Sequence, residues 1–289
     1  MGLQGFIVTH SLPKFRGRNI TTVIAGLYAG HLSGAAVGSL LVEQLGFRAI
    51  FIIGAIMLFI PLGSVLIFMK PYMHKIKCRH YEYKPLNKIE ISLKSSLFLL
   101  KSKNFSLVLF MSIIPFSIAQ VGFLSFALPL YLESEGAVSS TNIGRILMLY
   151  GLCVIYFGPL MGRLADRTTN KKYWIVLGGV IGSSGILGLY FIHGITAAAM
   201  AVFFLAVASC CIGSSVLPYM LAIPRVEKYG IASVTGFLRA SDKLGQMVGP
   251  LFVGVMFSIT NIKIGLAFTG ALYFGTTIIF LLFASNKEN

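Results

Sequence analysis

The side chains able to do chemistry in this 289-residue sequence are few, and most of them stand alone in apolar surroundings. His31 lies beside Gly30, Ser33 and Gly34 in an uncharged run. An imidazole there can take a proton near neutral pH or bind a polar solute, and it can equally serve as a hydrogen bond between two helices. Gln120 occupies a second apolar run with Ser112, Pro115, Ser117 and Ser125, where its amide can contact a solute. Arg239, Asp242 and Lys243 follow one another at i, i+3 and i+4, which puts them on one helical face. After them come 17 uncharged residues, Leu244 to Thr260, so the trio falls near the end of an apolar helix. Such a group can act as a gate or a coupling site, or form a helix-end salt bridge with snorkelling bases. Asp166 is different again, an acid set among Arg163, Arg167, Lys171 and Lys172. A carboxylate at a membrane surface is favoured beside a helix N-terminus and near cations.

Other chemistries find no support in the spacing. No serine, histidine and carboxylate stand together as a nucleophile set, so an enzyme is not expected, nor is a cofactor. His74, Cys78 and His80 have metal-capable side chains but no nearby carboxylate, and no metal site is expected. The four cysteines, Cys78, Cys153, Cys210 and Cys211, show no CxxC spacing, which argues against a disulfide framework and a structural zinc. Gly178, Gly179, Gly182 and Gly185 lack the Gly-Lys-Ser/Thr ending of a nucleotide loop and read as helix packing.

The elements that must carry these residues follow from composition. The chain is 56% hydrophobic and 11% charged, against about 25% charged in ordinary soluble domains. Its apolar residues form eight blocks near 19–45, 47–69, 105–132, 143–162, 173–192, 196–219, 233–258 and 264–284, each long enough to cross a hydrocarbon core. The expected fold class is therefore an all-α polytopic membrane protein with eight transmembrane helices. Of 24 basic residues, 19 fall on one side of the alternating connections, so that side and both termini are expected to be cytoplasmic, in the plasma (inner) membrane. The net charge of +15 is thus a topology signal rather than a nucleic-acid surface. The partners expected are a lipid bilayer and a small solute, with protons left open. Three regions are expected: residues 1–70 with two helices, a basic cytoplasmic linker over 71–104, and six helices over 105–289. Part of the linker, Asn87 to Lys103, has the pattern of an amphipathic helix on the inner leaflet or of a solvated connection. The opening residues Met1 to Pro13 read as neither signal peptide nor anchor.

The run Gly162-Arg163-Leu164-Ala165-Asp166-Arg167, followed by Lys171-Lys172, resembles the cytoplasmic loop motif of the major facilitator superfamily, with Thr169 and Asn170 at a usual glycine and arginine. Pro13-Lys14-Phe15-Arg16-Gly17-Arg18 resembles the run before that family's fifth helix, and Leu45-Gly46-Phe47-Arg48 the run entering its sixth. Gly26, Gly30, Gly34 and Gly38 recur every fourth residue, and Gly245, Gly249-Pro250 and Gly254 repeat the idea, smooth stripes that let helices approach closely. They resemble the family's glycine pattern on helices five and eleven. The resemblance implies a partial facilitator fold, helices five to twelve, with a complete C-terminal six-helix bundle and the last two helices of the N-terminal one. It implies secondary active transport by alternating access, with the missing helices or a partner subunit needed for it. It also implies that Asp166 braces the start of the first span near Arg16 and Arg18. The alternatives are a non-transporting sensor or assembly protein on the same scaffold, or an inactive fragment.

Overall fold

The computed structural model describes residues 51–68, 98–134, 140–223 and 230–284, together with positions 15, 18–19, 22–23, 25–27, 30, 45–46 and 48–49. His31, Arg16, Gly34, Gly38 and nearly all of the expected linker lie outside the described residues. The chain divides into two compact units, residues 30–92 and residues 1–29 with 93–289.

In the smaller unit, helical backbone runs from 51 to 68 with a turn at Leu58, and α1 (Phe59–Phe68) is its second part. Phe51, Ile56, Leu58 and Phe59 are all exposed. A helix apolar on every side suits hydrocarbon, where its backbone groups are satisfied within the helix itself.

The larger unit contains α2 (Lys103–Ser134), α3 (Ser140–Arg167), α4 (Lys171–Gly188), α5 (Gly194–Leu221), α6 (Gly230–Ile259) and α7 (Ile262–Phe283). These six helices cover the last six expected spans. Among the described residues four are long and apolar enough to cross a membrane: α2, α5, α7 and the part of α3 from Ile143 to Arg167. Two depart from that standard for visible reasons, since α4 starts on Lys171 and Lys172 and α6 carries Arg239, Asp242 and Lys243 in its first half. The full count of eight spans is not reached among the described residues. Within the unit α4 packs on α5 and α7, α3 on α5, and α2 on α6.

The glycines explain how closely these pairs approach. A methyl added at Gly178 would meet the Ala208 carbonyl of α5 at 3.0 Å, and one at Gly179 would overlap Thr277 of α7. The α4 glycines are therefore packing positions. Between α2 and α6 the contact is backbone to backbone: an added methyl at Gly122 would lie 2.9 Å from the Gly249 oxygen, and one at Gly245 would lie 2.8 Å from the Ile114 oxygen. Gly254, in contrast, meets only the Phe126 ring at 3.6 Å, an ordinary contact. Gly26 and Gly30 have nothing within 4 Å of an added methyl among the described residues.

A second feature of α2 has a local cause. Its helix widens into π turns at Leu109–Ile113 and Gly122–Ala127. Each ends two residues before a proline: the Ile114 amide bonds to the Leu109 oxygen ahead of Pro115, and the Leu128 amide to the Phe123 oxygen ahead of Pro129. A proline in a helix has no N–H and its ring presses on the carbonyl four residues back. An extra residue in the preceding turn relieves that clash without ending the helix. The ordinary helical segment between the two π turns, Ile114–Val121, carries Ser117 and Gln120.

Gly245→Ala and Gly249→Ala are each expected to destabilise the unit by about 1–3 kcal/mol through overpacking, whereas Gly254→Ala should change little. Thermal unfolding of the purified protein in one detergent would rank the three.

Candidate functional site

Two groups of polar side chains stand out in the larger unit. The first surrounds the connection between α3 and α4. The spacing suggests a tight turn over Gly162 to Lys172, but the helix continues through Arg167 and only Thr168, Thr169 and Asn170 leave it. Leu, Ala and Arg are good helix formers, and hydrogen bonds replace the missing glycine at the end. The Thr168 hydroxyl donates to the Leu164 oxygen at 2.9 Å and accepts from Trp174 Nε1 at 2.5 Å. The Lys171 ammonium donates to the Thr168 oxygen at 2.9 Å and to the Ala165 oxygen, so a cation sits at the negative pole of α3.

Lys172 does the same for a different helix. Its side chain is buried and its ammonium donates to the oxygen of Ala284, the residue that ends α7. Lys103 adds a cation over the Phe283 ring, 5.6 Å from the centroid. Of the remaining loop residues, Gly162 and Ala165 are buried, while Arg163, Leu164 and Arg167 are exposed.

Asp166 faces the other way. Its Oδ2 accepts from the backbone amide of Arg18 at 2.8 Å, a partner 148 residues away in sequence. Arg18 and Asn19 are helical, and the Thr22 hydroxyl returns to the Arg18 oxygen at 2.8 Å. An amide that bonds outside its own helix is one of the first-turn donors, so the carboxylate meets the positive end of a helix from a distant part of the chain, as a capping side chain would.

The second group lies between α2 and α6. Asp242 Oδ1 accepts from the Ser117 hydroxyl at 2.6 Å, and its Oδ2 accepts from Gln246 Nε2 at 3.1 Å. Arg239 stands 3.8 Å from the same Oδ2, and Lys243 donates to Gln246 Oε1 at 2.8 Å. The Asp242 side chain is 19% exposed and that of Arg239 43%. Lys243 therefore reaches the carboxylate only through Gln246. Above this group Gln120, buried, donates to the hydroxyl of Tyr150 on α3. Spacing located Arg239, Asp242, Lys243 and Gln120 but not their partners Ser117, Gln246 and Tyr150. Gln246 was within reach of such reasoning, being i+4 from Asp242. Ser117 and Tyr150 were not, because their pairing depends on how separate helices pack.

The pattern of the Major Facilitator Superfamily matches residues 2–223 and again residues 105–289. The chain belongs to the Major Facilitator Superfamily. Members are multi-pass integral membrane transporters and not enzymes, in keeping with the apolar helices seen here. Among relatives of this facilitator, the multidrug resistance protein MdtG of Salmonella dublin is 28% identical over 185 residues. The match takes in 60% of this chain and spans 43% of the relative's length.

Buried Lys172 and half-buried Lys171 give the facilitator a dependence on pH. Burial lowers the pKa of Lys171, the nearby Asp166 partly opposing it, and burial lowers that of Lys172. The unfolded chain keeps these protons to higher pH than the folded one, so unfolding free energy rises as pH climbs from the lowered values toward about 10.4, the ordinary lysine value, and levels off above it. Thermal unfolding in detergent should show that rise, and Lys171→Met with Lys172→Met should flatten it.

Proposed function

We propose that this facilitator moves a small organic solute across the bilayer by secondary active transport with alternating access. The observation that carries the reading is the hydrogen bond from the Arg18 amide to Asp166. It ties a helix start in the first part of the chain to the end of α3 in the second. Opening a cytoplasmic path between two helix bundles has to break such a tie, and closing the path restores it. Asp166 then favours the outward-facing state, with Gly162, Leu164, Ala165, Arg167, Lys171 and Lys172 building the connection that presents it, Arg18 supplying the amide it meets, and Arg16, two positions earlier in sequence, adding positive charge to the same segment. Residues 1–70 supply two helices of the first bundle, 71–104 the linker and 105–289 the second bundle, with both termini cytoplasmic in the plasma (inner) membrane. The remaining helices of the first bundle come from further chain or from a partner subunit.

The solute path uses Gln120, and the coupling site uses Asp242 with Arg239 and Lys243. Asp242 supports this role because it is a partly buried acid held by groups from two helices. His31 is the second group able to exchange a proton, should the gradient used be one of protons. MdtG is a multidrug resistance protein, which makes drugs the first solutes to test.

Asp166→Asn is expected to move the population toward inward-facing states by about fivefold, the equivalent of a surface charge–dipole contact of about 1 kcal/mol. Labelling of a cysteine at the cytoplasmic mouth in native membranes measures it, and unchanged labelling would overturn the brace. Asp242→Asn is expected to cut gradient-driven flux in proteoliposomes at least tenfold. Full flux in that variant would remove Asp242 from the pathway.

A further inference from the structure

The carboxylate of Asp166 is acted on by two positive groups. One is the amide end of the helix carrying Arg18, which it meets at 2.8 Å. The other is the Lys171 ammonium, which donates to the oxygens of Ala165 and Thr168, one immediately before Asp166 and one two residues after it. The charge of Asp166 acts on that ammonium and opposes the effect of its burial. The frame around both groups is held firmly. Ala165 is fully buried, and Thr168 is fixed between the Leu164 oxygen and Trp174 Nε1.

We propose that Lys171 is a positioning residue that competes with the Arg18 amide for Asp166 and takes over the carboxylate when the helix carrying Arg18 withdraws.

The inference rests on reading Asp166 as the cytoplasmic brace. Once released, the Asp166 carboxylate would be left in the last turn of α3, at the negative pole of its own helix, which is an unfavourable place for an anion. Lys171 removes that penalty. Its flexible stem and three donors let the ammonium keep one carbonyl while turning another N–H to the carboxylate, and a bond to an ionised acceptor is stronger than one to a carbonyl. The open state of the tie is therefore stabilised by the same residue that caps α3 in the closed state. Such an arrangement keeps the two states close in energy, which a cycle that visits both requires.

The competition predicts shifts of opposite sign. With spin labels at Thr22→Cys and Thr169→Cys on the full chain, and the native cysteines replaced, Asp166→Asn should raise the long-distance (open) fraction about fivefold. Lys171→Met should lower it about threefold, and Lys171→Arg should restore the original distribution. In the Asp166→Asn background Lys171→Met should have no further effect. Lys171→Gln keeps donors for the two carbonyls without the charge, and it should behave as Lys171→Met does; it also serves if the methionine variant fails to fold. A shift of Lys171→Met or Lys171→Gln in the same direction as Asp166→Asn, or an equal shift with and without Asp166, overturns the inference and leaves Lys171 a simple cap of α3. No shift in Asp166→Asn itself would overturn the brace, and the competition with it.

Discussion

A helix that crosses hydrocarbon satisfies its own backbone everywhere except at its ends, where the first amides and the last carbonyls have no partner within the helix. In this facilitator several of those ends are served by side chains, three of them from other elements. Asp166 of α3 takes an amide at the start of the helix carrying Arg18. Lys171 of α4 takes carbonyls at the end of α3, and Lys172 takes the one that closes α7. Asn261 caps the start of α7, accepting from the Ile264 amide at 2.9 Å. The charges of the α3–α4 connection are thus sorted by the polarity of the helix ends they meet, the acid on an amide end and the bases on carbonyl ends. Two adjacent lysines of one motif serve two different helices because their side chains leave the start of α4 in different directions.

A different constraint rules the seam between α2 and α6. Here the backbones approach so closely that Gly122, Gly245 and Gly249 leave no room for a methyl. Close approach is also what brings Ser117 to 2.6 Å from Asp242. A carboxylate in an apolar region is costly unless its lone pairs are filled. Ser117 and Gln246 donate to it from two helices, and Arg239 adds a cation 3.8 Å away. The two π turns of α2 lie on either side of Ser117 in sequence, and the second begins at Gly122, inside the seam itself.

Most of the architecture was legible from the apolar blocks, because burial in lipid demands long uncharged helices and little else does. The six later blocks coincide with α2 to α7 to within a few residues. The sequence also located both polar groups, since charge in such surroundings is conspicuous. What it missed has physical reasons. The helical continuation through Arg167 depends on Lys171 and Thr168 folding back onto α3, a tertiary event that no spacing encodes. The close approach of Gly245 and the looser setting of Gly254 look alike in the repeat and differ only in the neighbour each meets, a backbone oxygen in one case and a phenylalanine ring in the other. Ser117 and Tyr150 gained their importance from helix packing, and isolated serines and tyrosines in apolar runs are too common to signal it.

These two kinds of contact differ in strength in a way that matters for motion. A seam of interlocked backbones has no intermediate arrangement: a shift of a few tenths of an ångström either overlaps atoms or opens a void, and overpacking it by one methyl costs about 1–3 kcal/mol. Such packing favours α2 and α6 as one rigid pair. A carboxylate on a helix end at the membrane surface is worth only about 0.3–1 kcal/mol and can be replaced by water or a nearby cation. An equilibrium between two conformations stays responsive to a solute or an ion gradient only while the states differ by a few kcal/mol, because a ligand can shift it by no more than its differential affinity. A strong tie in place of Asp166 would hold one state at any solute concentration. In the proposed cycle the weak contact stands where the two bundles part, and the strong one where two helices of one bundle stay together.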